Sequence, residues 1–184
     1  MDTEPTRNAS KSLKKSDTAS GHSLKRSKLL PKETELFILH VECIMGLYLE
    51  NEFKFTIEVP ESLTLSELGS IILECTQFDH DHLSEFYAGR NYRQRKVRFG
   101  VEQDDFGMLA ERDDDEDLEE IPLRDVYPLP PICKLYFQFD FGDDWIFEIR
   151  KDRKKPEPVE TRKYPYLVSM QGKRPVQYPN PDDY

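Results

Sequence analysis

Phe53-Lys-Phe-Thr-Ile-Glu-Val-Pro-Glu-Ser-Leu-Thr-Leu-Ser-Glu-Leu-Gly-Ser-Ile-Ile-Leu-Glu-Cys75 joins two different periods end to end. Phe53, Phe55, Ile57 and Val59 alternate with Lys54, Thr56 and Glu58. A period of two puts each set on one face of a strand. Beyond Pro60 the spacing becomes helical. Thr64 followed by Glu67 is a capping box, and Leu63 can staple to Leu68. Leu65, Leu68, Ile72 and Cys75 then form one apolar stripe. Gly69 interrupts that helix at a cost of roughly 1 kcal/mol against alanine, which points to close packing on a sheet.

Strands are predicted on both sides of this unit. Upstream, Phe37, Leu39, Val41 and Cys43 alternate with Ile38, His40 and Glu42, so His40 reads as a sheet-surface histidine. Downstream come Phe78–Tyr87 and Val97–Val101. Ile121 to Tyr127, before Pro128, Pro130 and Pro131, is a turn of helix or an extended piece. Leu135, Phe137, Phe139 and Phe141 form one strand face and Trp145, Phe147 and Ile149 another, with Gly142-Asp143 as a tight hairpin turn. Residues 151–163 read as a loop, and the Pro-rich C-terminal segments as extended chain lying against the domain. The expected class is α+β, a mainly antiparallel sheet packed on one principal helix. Its β-β-α start resembles the β-grasp plan, and a disordered N-terminal tail precedes it. Residues 1–34 are read as that basic tail, and 35–184 as a single domain carrying an acidic loop at 102–120.

Charge is unevenly distributed. The chain carries a net −10, with 37% of residues hydrophobic and 34% charged. Residues 1–35 contain eight Lys or Arg against five acids, so the remainder holds about −13. Such a body repels free nucleic acid unless the tail or a local basic patch makes the contact. Lys25-Arg-Ser-Lys28 could touch phosphate or act as an import signal, and is read as part of a solvated leader. Residues 102–120 hold eleven acids and only Arg112 as a base, a solvated excursion. Asp113-Asp-Asp115 lacks the offsets and turn glycine of a calcium loop.

Cys43, Cys75 and Cys133 stand far apart with no CxxC, which predicts reduced, structural thiols in an intracellular compartment. No apolar run approaches the ~18 residues of a membrane span, and the N-terminus lacks a signal-peptide core. A cytoplasmic location with no membrane association is therefore expected.

Two aromatic-flanked acidic segments are the candidate chemistry. In an extended Asp79-His-Asp-His82, His80 and His82 share one face. They could hold a divalent metal with Asp140, Asp143 or Asp144 as further ligands. The favoured reading is structural: Asp79 closes the helix exit through an Asx turn, and the hairpin aspartates bind their own turn amides. Asp140-Phe-Gly142 does not mark a kinase, because a glycine-rich phosphate loop and a His-Arg-Asp are missing. Nucleophile-elbow, Walker and dinucleotide motifs are also missing. Arg90, Arg93, Arg95, Lys96 and Arg98, interleaved with Tyr92 and Phe99, are a possible anion contact. Pairing with the acidic 102–120 stretch is the favoured alternative.

These segments carry a family resemblance. Val59-Pro60 with Thr64-Leu65 and Leu68, Asp81-His82-Leu83 with Phe86, Phe139-Asp140-Phe141-Gly142-Asp143-Asp-Trp145, and Gly172-x-x-Pro175-x-Gln177-Tyr178-Pro179 stand in the order of one family. Over about Leu36 to Pro179 the chain resembles the Ri-plasmid open-reading-frame-three-like family of plasmids, mobile elements and prokaryotic chromosomes. The resemblance implies an α+β domain with an uncharacterised biochemical role. Relatives often carry histidines where this chain has Ser84 and Phe147, and Lys54-Phe55-Thr56 stands in place of the usual Trp-Arg-Arg. Those departures lower the weight of a metal or acid–base role. The function expected is a non-enzymatic interaction module with a protein partner, linked to plasmid or mobile-element biology. The alternatives are a metal-dependent hydrolase or nuclease using the His/Asp cluster, and nucleic-acid association through the basic tail and residues 90–98.

Overall fold

The computed structural model describes residues 19–100, Leu118 and 121–180. Eight strands form one antiparallel sheet in the order β1-β8-β3-β2-β7-β6-β4-β5. They are β1 (Ala19–Leu29), β2 (Leu36–Met45), β3 (Phe53–Pro60), β4 (Ser84–Gly89), β5 (Val97–Phe99), β6 (Lys134–Phe139), β7 (Trp145–Lys151) and β8 (Lys163–Gly172). The helices described are α1 (Leu65–Thr76) and the single turn α2 (Leu123–Val126).

This corrects the expected fold class. Among the described residues the chain is mostly one large sheet, with α1 and α2 both short, rather than a sheet organised on one principal helix. Three strands, not two, precede α1. The segment read as a disordered tail contains β1, which pairs with β8 from Ala19↔Met170 to Leu29↔Lys163. Neither strand shows a simple alternation of apolar residues. β1 is a sheet edge of Ser, Lys and Arg that commits only Leu24 to the core. β8 contains Pro165, which has no amide to donate. Pro165 falls where the β1–β8 register shifts between Ser23 and Lys28, and Ser27 Oγ donates to its carbonyl at 2.6 Å. The acidic stretch 102–120, with Asp113–Asp115, lies outside the described residues apart from Leu118, which is buried.

The local signals behave as the chain's chemistry dictates. β2 and β3 pair from Leu36↔Pro60 to Cys43↔Phe53 and bury their alternate residues. The capping box forms, with Glu67 N donating to Thr64 Oγ1 at 3.2 Å and Thr64 N to Glu67 Oε2 at 2.9 Å. Leu65, Leu68, Ile72 and Cys75 are buried in the core. A Cβ on Gly69 would lie 3.2 Å from Phe137 Cε2, so the missing side chain lets α1 close on the Phe86–Phe137 pair. The helix exit is shaped by Gln77, at φ 65°, rather than by Asp79. Phe141, expected on a strand face, lies exposed in the β6–β7 turn.

Cys43 and Cys75 are buried, and loss of solvation pushes both thiols up to about 12, while Cys133 is only partly covered. Thiolate is the reactive form. Ellman titration of the native chain is therefore expected to count one fast thiol, and three in denaturant. Two fast native thiols would contradict this packing.

Candidate functional site

Four separate pieces of chain meet at one end of the sheet: the β2–β3 turn, the α1–β4 loop, the β6–β7 turn and the segment after β8. Backbone hydrogen bonds join the first three. Leu47 N donates to the Asp143 carbonyl at 2.8 Å, and Asp140 N to the Leu83 carbonyl at 3.1 Å. The C-terminal segment is held by side chains. Arg174 Nε donates to the Cys75 carbonyl at 2.9 Å, covering an orphan acceptor at the end of α1. Gln177, buried, accepts from Asp79 N at 2.7 Å and donates to Asp81 Oδ1 at 3.0 Å.

Around this anchor lies a polar cluster. Tyr178 donates its hydroxyl to Asp81 Oδ2 at 2.5 Å, and His82 Nε2 lies 2.9 Å from the same hydroxyl. His82 Nε2 is also 3.4 Å from Asp140 Oδ2 and 3.8 Å from Asp81 Oδ1. Asp140 Oδ1 accepts from the amides of Gly142 (2.9 Å) and Asp143 (3.3 Å), and Asp144 N donates to the Asp140 carbonyl at 2.8 Å. The hairpin is thus a five-residue turn, with Phe139 opposite Trp145. It is longer than the two-residue turn its glycine suggests. Asp140 and Asp144 both take positive φ, 56° and 53°, a conformation that aspartate tolerates better than most residues.

The sequence-predicted metal ligands separate. His82 and Asp140 come together, and the charge of His82 bears on Asp143. Asp144 turns instead to Gln138, whose Nε2 donates to its Oδ1 at 2.6 Å. His80 is exposed in the loop, and no described contact joins it to the others. Among the described residues no three His, Cys, Asp or Glu side chains converge to hold a metal ion.

Protonation follows the hydrogen bonds. The Tyr178 hydroxyl holds the Asp81 carboxyl below its ordinary range, and the Asp81 carboxylate pushes the Tyr178 phenol up to about 12. Partial burial, then the Asp140 charge, pushes the Asp143 carboxyl up. Because Asp81 binds its proton less tightly when folded, this anchoring is complete above the ordinary carboxylate range. It fades as the pH falls through the lowered Asp81 value. In Asp81→Asn the Tyr178 titration is expected to return toward that of an ordinary tyrosine. Ring-carbon NMR of the full chain, with Tyr178→Phe assigning the resonance, reads this out. An unchanged titration would break the assignment of the pair.

The basic run also divides. Glu85, buried on β4, receives Arg95 Nε at 2.5 Å, and Arg98 Nε and Nη2 at 3.0 and 2.6 Å. Arg95 donates to Gln138 and stacks 4.5 Å over the Tyr87 ring. The expected partner, the acidic stretch, lies outside the described residues, and Glu85 is a partner that sequence reading missed. Arg90, Arg93 and Lys96 remain exposed, with Arg93 lying 5.3 Å over Tyr92.

Large side chains are also exposed on these pieces. Leu47 is 64% exposed, Leu83 63%, Tyr178 52% and Phe141 47%. Each belongs to one of the four converging pieces. The remaining motif residues face inward: Phe86, Phe139 and Trp145 are buried, and Phe78 packs on Trp145 with ring centroids 4.8 Å apart.

The family model described as plasmid pRiA4b ORF-3-like protein matches residues 49–178. The chain belongs to that family. The match opens within the β2–β3 turn, two residues after Leu47, and closes on Tyr178. A crystal structure of a protein of unknown function from Methanosarcina mazei Go1 is similar at 24% identity and a TM-score of 0.51. That match covers 72% of this chain and 66% of the other, and it is a likeness of fold. No curated protein sequence matches the chain. Among the described residues no helix is long and apolar enough to cross a membrane.

Proposed function

We propose that this family member is a non-enzymatic interaction module that docks a protein partner on the end of the sheet where the four pieces meet. The observation that carries the reading is that each of the four joined pieces leaves a large side chain exposed, Leu47, Leu83, Phe141 and Tyr178, while the same pieces carry a polar cluster. Apolar side chains gathered in one exposed patch are characteristic of binding surfaces. The polar centre is internally satisfied: both Asp81 oxygens accept hydrogen bonds, and Asp140 Oδ1 accepts from its own turn. Its polar groups therefore support position more readily than turnover. The setting we propose is the plasmid or mobile-element biology of the family's name.

A photo-crosslinking residue at Phe141, in the full chain expressed in its native host, tests the reading. A discrete protein adduct is expected there, absent when the probe sits at Arg124 in α2 and abolished by Leu83→Ser. Equal labelling from both positions would overturn it.

The metal-dependent alternative uses five residues, of which Asp144 turns to Gln138 and no described contact joins His80 to the His82–Asp140 pair. Stoichiometric zinc or manganese in the purified full chain would restore it. The nucleic-acid alternative rests on Arg90, Arg93 and Lys96 together with the N-terminal residues. Its test is salt-dependent DNA retention lost on deleting residues 1–18, a truncation that spares β1.

A further inference from the structure

We infer that the groove between β1 and α1 receives an extended acidic segment of a partner polypeptide, added as a strand to the free edge of β1. This inference does not rest on the docking reading above. β1 ends the sheet order, so one of its edges pairs with no described strand. In a flat sheet β1 would lie roughly 24 Å from β6, five strand spacings away. Both strands nevertheless reach α1. Lys25 N donates to Glu74 Oε1 at 2.9 Å, and Gly69 packs against Phe137 of β6. The sheet therefore curls until its edge strand stands opposite the helix. Leu24 turns into the core at this point, two residues before Arg26 at φ 61°. A groove of about 1730 Å³ is left between β1 and α1, floored by Leu167 and Met170 of β8. Small-molecule pockets run to roughly 300–1,000 Å³, so this groove has the size for a length of chain.

Charge complementarity selects the occupant. Lys25, Arg26 and Lys28 all line the groove, all are exposed, and no described ion pair engages them. Basic residues on an edge strand oppose pairing with a neutral or basic strand. They favour an acidic one, because opposite charges beside each other on a sheet attract. Glu74 displays the match within the chain, since its carboxylate crosses to a β1 amide beside these cations. The far wall disfavours a phosphate chain. Glu67 and Glu74 stand on α1 and Asp79 beyond its end, and all three line the groove. A nucleic-acid strand would bring negative charge to both walls. A polypeptide strand alternates, so its acids can sit beside the β1 cations on one face while its other face meets α1. The net charge of −10 gives the whole chain no general attraction for an acidic peptide, so binding would report these local cations.

The test is fluorescence anisotropy of a labelled ten-residue peptide of alternating Glu and Val, titrated with the full chain. A peptide of alternating Lys and Val and a single-stranded oligothymidine are the comparison probes. Lys25→Glu/Lys28→Glu reverses two exposed charges, and Ser70→Trp fills the groove from α1 without changing charge. The acidic peptide is expected to bind saturably, about tenfold more weakly in either variant, and to weaken with salt. Against the unaltered chain, binding should be lost when one of the peptide's two alternate sets of amides is N-methylated, because strand addition uses main-chain hydrogen bonds. No saturable binding of the acidic peptide, or binding indifferent to both variants, would overturn the site. Binding that survives N-methylation of either set would overturn strand addition. Tighter retention of the oligothymidine, lost in Lys25→Glu/Lys28→Glu, would overturn the polypeptide assignment.

Discussion

Replacing Trp145 with alanine is expected to destabilise the folded chain by about 3–5 kcal/mol. The indole is fully buried at the start of β7, edge-on to Phe78 of the α1–β4 loop. It also occupies the space beside Gly46, where a Cβ would lie 2.2 Å from its Cε3. One side chain thus supports the α1–β4 loop and the β2–β3 turn together, which carry the exposed Leu83 and Leu47. Alanine would leave a cavity that two loops and a hairpin cannot all move to fill. Its Nε1 has no hydrogen-bond partner among the described residues. Trp145→Phe, which deletes that unpaired donor along with some packing, should therefore cost clearly less than alanine. Trp145 is the chain's one tryptophan, so urea melts are followed by circular dichroism. A Trp145→Ala midpoint equal to wild type would refute the packing role.

Gly172→Ala is expected to cost about 2–5 kcal/mol from two sources that add. Gly172 takes φ +87°, where a Cβ is strained, and that Cβ would lie 1.9 Å from the Glu52 carbonyl oxygen. The obstacle is backbone in the adjoining β2–β3 turn, next to the Phe53↔Gly172 pair, so no side-chain rotation relieves it. Gly142→Ala is the control. Gly142 lies outside the positive-φ region, and the nearest atom a Cβ would meet is Asp140 Oδ1 at 3.2 Å. Its urea midpoint should shift by only a fraction of the Gly172→Ala shift, and equal shifts would contradict the account. The loss at Gly172 also has a functional reading. β8 ends there and delivers Arg174, Gln177 and Tyr178 to the α1–β4 loop, so the Tyr178 titration should move toward an ordinary tyrosine in the same variant.

These two residues clarify the family motif. Trp145 and Gly172 act on the backbone and the core, whereas Asp81, His82, Phe141 and Tyr178 act at the surface. A motif read along the chain mixes both kinds, because buried and exposed positions are interleaved in it. Phe139, Phe141 and Trp145 look alike in sequence. Only the five-residue turn sends Phe141 outward while its neighbours go in.

The same distinction explains what could be read in advance. The strand period of Phe37–Cys43 and Phe53–Val59, the Thr64–Glu67 cap and the stripe on α1 are contacts within a few residues of one another, and the local pattern records them. β1 and β8 left no such pattern. An edge strand of Ser, Lys and Arg and a strand containing Pro165 are stabilised by each other's backbone, roughly 140 residues away along the chain. Glu85 gave no sign of burial, because its partners Arg95 and Arg98 arrive through the β4–β5 hairpin.

Sequence by itself determined the antiparallel character of the central strands and the limits of α1. The tertiary structure alone decided that Asp81 and Asp79 meet a tail 96 and 98 residues further on, that His80 and Asp144 stay out of the cluster, and that the pieces carrying Leu47, Leu83, Phe141 and Tyr178 come together. The physical reason is range. Period and capping are set by neighbours along the backbone, whereas this meeting of four pieces is set by residues that become neighbours only when the sheet assembles its order from β1 to β5.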